Sequence, residues 1–183
     1  EIGGVFLSDT RVRKVTFTGS TEVGKVLMRQ GADTVKKLSL ELGGHAPMII
    51  LNDAHIETAV QGVMDSKFRN GGQTCVCVNR VYVQSRIYDQ FVDAFSSKVK
   101  DLKVGNGMKN GVDIGPLINQ AGIKKVTEHV EDAVKNGATV VVGGQQPEEK
   151  GNYFLPTVIK DATEDMLIMR EETFGPVAPI QKF

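Results

Sequence analysis

Cys75 and Cys77, the only two cysteines of the chain, are separated by one valine in the stretch RNGGQTCVCVNR, residues 69–80. Three kinds of chemistry suit two thiols at this spacing. A metal centre needs three or four ligands, and C-x-C supplies two at an uncommon spacing. His45, His55 and His129 do not cluster with them in sequence, so no metal site is expected. A disulfide between the two would close a very small, strained ring, a labile redox event rather than a staple. The third chemistry is a single nucleophile. Cys75 follows NGGQT, whose glycines keep bulky side chains away and leave backbone N–H groups to steady an oxyanion. Cys77, between Val76 and Val78, has the setting of a small buried residue. The plain alternative is that both thiols are core residues. A Cys–His hydrolase is the rival catalytic reading, with nothing to single out one histidine as its base.

A second stretch, GSTEVGKV at 19–26, comes close to a phosphate-binding loop of the form G-x-x-x-x-G-K-[ST]. It fails where Val26 stands in place of the hydroxyl that must reach Mg²⁺. What survives is general: Gly19 and Gly24 let backbone approach a phosphate, Ser20 offers a hydroxyl, and a helix N-terminus favours negative charge. A tight turn with glycines for packing alone is the competing explanation.

The elements that must position these residues follow from the hydrophobic pattern. VRKVTFT (12–18) reads as a strand running into the glycine turn, then a helix with Val23, Val26 and Leu27 on one face. Residues 38–42 form a second strand. PMIIL (47–51) is a continuous apolar run of the kind found in strands buried on both faces. Asn52 or Asp53 can cap a helix over about 55–68, with Ile56, Ala59, Val60 and Val63 on one side. RVYVQ (80–84), ATVVVGG (138–144) and PTVIKD (156–161) are further strands, and a strand is in progress in PVAPIQKF at the end. The stripes Ile87, Phe91, Phe95, Val99, Leu102 and Ile123, Val126, Val130, Ala133 mark two amphipathic helices. Residues 147–152 are polar and turn-like. Strands alternating with helices predict an α/β fold with a largely parallel sheet and flanking helices.

Composition sets the class. The 183 residues are 40% apolar and 24% charged, as expected of a soluble globular protein. Lys+Arg and Asp+Glu both number 22, so no net field favours nucleic acid or an anionic membrane, and neither partner is expected. No apolar run reaches the length of a membrane span, and two cysteines suit a reducing, cytoplasmic setting. The chain starts at Glu1 and stops at Phe183 inside an apolar segment, so a piece of a longer protein is expected.

With these segments in hand, the chain resembles the aldehyde dehydrogenase superfamily. FTGSTEVG (17–24) looks like that family's cofactor turn, LELGGHAP (40–47) its general-base motif, GQTC (72–75) its nucleophile motif and EETFGPV (171–177) its nicotinamide-ribose motif. FRNGGQTCVCVNR is most similar to the succinate-semialdehyde branch. The resemblance implies oxidation of an aldehyde to an acid. Cys75 attacks the aldehyde carbon, the thiohemiacetal gives hydride to NADP or NAD, and water activated by Glu41 hydrolyses the thioester. NADP is usual for similar bacterial enzymes. Gly19, Ser20, Gly24 and Leu42 then belong to the cofactor site, Glu172 holds the nicotinamide ribose and Phe174 packs beside the nicotinamide. Arg69 binds a substrate carboxylate, as in succinic semialdehyde, through its guanidinium fork; a surface ion pair is its alternative. Cys77 becomes a redox switch by reversible bridging to Cys75. The resemblance further implies that residues 1–42 finish an NAD(P)-binding domain and 43–183 begin a catalytic one. It also implies that the full-length protein is a homodimer or homotetramer and that this piece alone is inactive. A non-catalytic α/β folding or association module is the reading from a different class.

Overall fold

The computed structural model describes residues 2–148 and 150–183. The chain packs as two compact units, Glu1–Gly44 and His45–Phe183.

The first unit contains α1 (Ile2–Ser8), β1 (Lys14–Thr18), α2 (Thr21–Ala32) and β2 (Lys37–Glu41). Val15, Thr16, Phe17 and Thr18 are strand formers. They pair in parallel with β2 from Lys14↔Lys37 to Thr18↔Glu41. A parallel pair needs a crossover, and α2 supplies it. Ser20 caps α2, its Oγ accepting from the Val23 N–H at 3.3 Å. The buried face of α2 is Gly24, Leu27 and Gly31, whereas Val23 and Val26 are 44% and 42% exposed. The expected stripe is therefore rotated, because the glycines are what bring the helix close to its neighbours. A β-carbon on Gly24 would collide with the Leu42 side chain. Leu7 of α1, absent from the expected elements, is buried and completes this small core.

The second unit is built on a five-stranded sheet of order β3–β4–β7–β6–β5, with β3 (Ala46–Ile50), β4 (Val78–Val83), β5 (Thr139–Val142), β6 (Thr157–Lys160) and β7 (Val177–Lys182). All neighbours are parallel except β5, which runs antiparallel to β6. The helices are α3 (Ile56–Lys67), α4 (Tyr88–Lys100), α5 (Gln120–Lys135) and the short α6 (Leu167–Arg170). One core cluster joins Val60 and Val63 of α3 to Phe91, Phe95 and Val99 of α4 and to Val158, Ala178 and Ile180. The other joins Val126, Val130 and Ala133 of α5 to Ile159 and Val177. Val158 and Ile159 are adjacent, as are Val177 and Ala178, and adjacent strand residues face opposite ways. The two clusters thus lie on opposite faces of β6 and β7, and the architecture is the expected α/β one with mostly parallel sheets.

Two local expectations fail for physical reasons. PMIIL is an edge strand: Ile49 is 63% and Leu51 50% exposed, so β3 is covered on one face only. The cap of α3 is His55, whose Nδ1 accepts from the Thr58 N–H, because residues 51–54 form a turn closed by Ala54 N–H donating to the Leu51 carbonyl. Among the described residues, no helix is long and apolar enough to cross a membrane.

Candidate active site

Between α3 and β4 the chain makes a short 3₁₀ turn, Arg69–Gly72, and then an irregular passage holding both cysteines. The turn goes left-handed over three residues, with φ of 51° at Asn70, 62° at Gly71 and 75° at Gly72. Gly72 is required twice. Its φ suits glycine, and any β-carbon there would meet the Gly175 carbonyl. This backbone contact sets the segment before Cys75 directly against the 171–177 segment.

Gly71 and Gln73 donate their N–H groups to the Phe68 and Asn70 carbonyls, so these two amides belong to the turn. The Gln73 side chain anchors the passage outward, its Oε1 accepting from the Ile118 N–H at 3.0 Å. Cys77 N–H donates to the Thr74 carbonyl, which folds the chain back around Cys75. Cys75 is exposed and Cys77 buried, and both are free thiols. No described residue takes a hydrogen bond from Cys75, from its thiol or its backbone N–H. Arg69 is exposed and makes no ion pair with a described residue.

Against Cys77 lies a group that the sequence did not single out. Lys67, on the last turn of α3, is fully buried, and its Nζ donates to Asn79 Oδ1 at 3.0 Å and Cys77 Sγ at 3.4 Å. Burial pushes its pKa down, opposed by Cys77 and by the charge of Glu172. Its one sequence signal is position: Lys67 falls on the buried face of α3 with Val60 and Val63.

Glu172 is half-buried, and Phe174 is 40% exposed with a left-handed φ of 56°, an uncommon conformation for a bulky residue. The residues flanking Phe174 are gripped by α5. Thr173 Oγ1 lies 3.1 Å from Nδ1 of buried His129, and Gly175 leaves no room for a β-carbon against Val126. His129 Nε2 also faces Glu171 at 3.8 Å. Burial holds the His129 imidazole below its usual pKa, with Lys125 adding to the effect and Glu171, Asp132 and Glu128 opposing it. Sequence alone gave His129 no role. No histidine hydrogen-bonds either thiol among the described residues, and no group of three His, Cys, Asp or Glu there could hold a metal ion.

The remaining candidates sit in the first unit. Gly19 and Ser20 are exposed at the N-terminal end of α2, Gly24 is packed under Leu42, and Glu41 ends β2 with an exposed side chain. Gly19 N–H donates to the Glu41 carbonyl at 3.0 Å, so the glycine turn and the expected base share one backbone bond. The exposed helix start at Gly19 and Ser20 is open to an anion, whereas Gly24 is buried under Leu42 with its N–H bonded to the Ser20 carbonyl.

All 183 residues match the aldehyde dehydrogenase family. The whole chain aligns with succinate-semialdehyde dehydrogenase [NADP(+)] GabD of Escherichia coli (strain K12) at 50% identity, covering 38% of that protein. It aligns equally, at 50% identity over 38%, with glutarate-semialdehyde dehydrogenase of Pseudomonas aeruginosa. The crystal structure of succinate-semialdehyde dehydrogenase from Burkholderia pseudomallei superposes with a TM-score of 0.98 at 50% identity, over the full chain and 38% of the other. The chain thus spans well under half the length of the relatives it matches. With motif order, fold and match all agreeing over its whole length, the chain belongs to the aldehyde dehydrogenase family.

Proposed function

We propose that the whole protein oxidises an aldehyde to a carboxylic acid with NADP or NAD, through covalent chemistry on Cys75, and that its aldehyde carries a second carboxylate, as succinic semialdehyde does. The observation that carries this reading is the state of Cys75. It is the exposed thiol of the pair, its N–H bonded to no described residue, on a passage whose Gly72 backs onto the segment of Glu172 and Phe174.

In this mechanism the Cys75 sulfur adds to the aldehyde carbon, and the Cys75 N–H donates to the oxyanion that forms. A nicotinamide bound beside Glu172 and Phe174 would supply the hydride acceptor for that carbon. The thioester left on Cys75 is hydrolysed by water that Glu41 deprotonates. Gly19, Ser20 and Gly24 sit at the phosphate end of the cofactor site, to which Leu42 also belongs. Ser20 Oγ accepts the α2 cap bond and keeps its own proton to donate. Glu172 holds the ribose and Phe174 flanks the nicotinamide. Residues 1–42 then finish the cofactor domain and 43–183 form part of the catalytic one, a division supported by the change of compact unit at Gly44.

Arg69 is the proposed clamp for the far carboxylate, supported by its exposure and its lack of an ion pair among the described residues. Relatives named for succinate and glutarate semialdehydes carry the same chemical pattern, an aldehyde with a carboxylate at the other end. The test is an assay of the full-length protein on succinic semialdehyde, glutaric semialdehyde and uncharged aldehydes of equal length. The semialdehydes are expected to give the higher kcat/KM, and equal values for the uncharged set would refute the substrate class. Cys77 is proposed as the partner of Cys75 in a reversible bridge under oxidation. If Cys77→Ala leaves peroxide sensitivity unchanged, that role is wrong.

A further inference from the structure

The chemistry above gives Lys67 no task, yet it is the most costly side chain in the site. It is 0% exposed. Enclosing an ammonium away from water costs several kcal/mol unless its partners compensate. An apolar residue would fill this place on the buried face of α3 more cheaply, beside Val60 and Val63. The charge therefore needs a reason, and its hydrogen bonds supply one.

Those bonds run to Cys77 Sγ and Asn79 Oδ1, on the passage that leads from Cys75 into β4. The same turn of α3 makes two more links. Ser66 Oγ accepts from the Val78 N–H at 3.2 Å, and the Lys67 carbonyl lies 3.6 Å from Cys77 Sγ. Cys75 has no hydrogen bond of its own among the described residues, so its place is inherited from Cys77 and the turn before it. The Lys67 carbonyl also lies against Gly72, which packs on the Gly175 carbonyl, so the end of α3 adjoins the turn before Cys75 on its other side as well.

We propose that Lys67 is a positioning residue for the nucleophile: its buried ammonium ties Cys77 and Asn79 to the last turn of α3 and so sets where Cys75 stands. The inference rests on Cys75 being the nucleophile. A reacting atom misplaced by about 1 Å can lose about a hundredfold in rate, so a tether of this kind acts on kcat without touching substrate.

The test uses the full-length enzyme and Lys67→Met, which replaces a buried charge with an apolar chain of similar length. The change leaves the buried Asn79 Oδ1 without this donor, so the thermal midpoint is expected to fall. The expected result is a fall of about tenfold or more in kcat and in the rate of Cys75 alkylation by iodoacetamide. KM for the aldehyde and cofactor Kd stay at the parent's values. Should Lys67→Met not fold, Asn79→Ala removes one acceptor with little packing and carries the same expectation for alkylation. A packing lysine would instead leave alkylation unchanged, and parent-like alkylation in the folded variants overturns the proposal. Cys75→Ser separates the two failures. If that variant keeps full turnover, the nucleophile reading is lost; if it is inactive while Lys67→Met behaves as the parent, only the role of Lys67 is lost.

Discussion

At the scale of single residues, the two thiols differ in surroundings rather than in chemistry. Cys75 is open and its N–H is bonded to no described residue, while Cys77 is enclosed and accepts a hydrogen bond from Lys67. Arg69 and Glu41 are each exposed ends of short elements, and their proposed tasks predict different kinetic signatures. Arg69→Ala in the full-length protein should raise KM for a semialdehyde roughly ten- to a hundredfold, the worth of a charge-assisted hydrogen-bond pair. KM for an uncharged aldehyde should stay as it was, and steady-state kinetics on both substrates checks this. Glu41→Gln should leave acylation intact and slow deacylation about a hundredfold. Rapid mixing should then show a burst of one equivalent of reduced cofactor followed by slow turnover. A variant without a burst would mean that Glu41 acts before the thioester.

At the scale of elements, placement depends on a few close approaches. Gly72→Ala should cost of order 1–3 kcal/mol in backbone strain, with the clash against the Gly175 carbonyl added. A lowered thermal midpoint and lost activity are expected. Gly107→Ala, where nothing lies within 4 Å, should change neither. The grip of α5 on the Phe174 segment should depend on pH. Burial depresses the pKa of His129 in the fold, so the unfolded chain takes up its proton first as pH falls. The stability from the neutral imidazole is complete above its unfolded pKa, about 6.5, and is lost as pH falls below that value toward the folded pKa. Thermal midpoints at pH 7.5 and 5.5 should therefore differ less in His129→Gln than in the parent.

Most of these elements were legible in the sequence, because β-branched runs and helical stripes such as Phe91, Phe95 and Val99 state their own period. The exposed face of β3 was not legible, since an apolar run does not say how many of its faces are covered. The close packing of α2 through Gly24 was hidden too, because a glycine carries no hydrophobic signal and its partner, Leu42, lies on the next strand. At the site, the buried setting of Cys77 was legible and the buried lysine was not. A lysine on an apolar helix face acquires meaning only once Cys77 and Asn79 are folded against it.

At the scale of the whole molecule, the chain is a part. It covers 38% of the relatives compared, and its proposed cofactor turn and base lie in one compact unit while its nucleophile lies in the other. The 183-residue chain, purified alone, is expected to reduce no NAD(P)⁺ with any aldehyde, as spectrophotometry would show. Turnover by it would mean that the remaining length of such enzymes is dispensable. The central claim, however, is covalent chemistry on one sulfur of two. It is tested most directly by mass spectrometry of full-length Glu41→Gln enzyme, quenched after mixing with succinic semialdehyde and NADP⁺. The account predicts an acyl thioester on the tryptic peptide 70–80, located at Cys75. An acyl group on Cys77, or none on this peptide while cofactor is reduced, would contradict it.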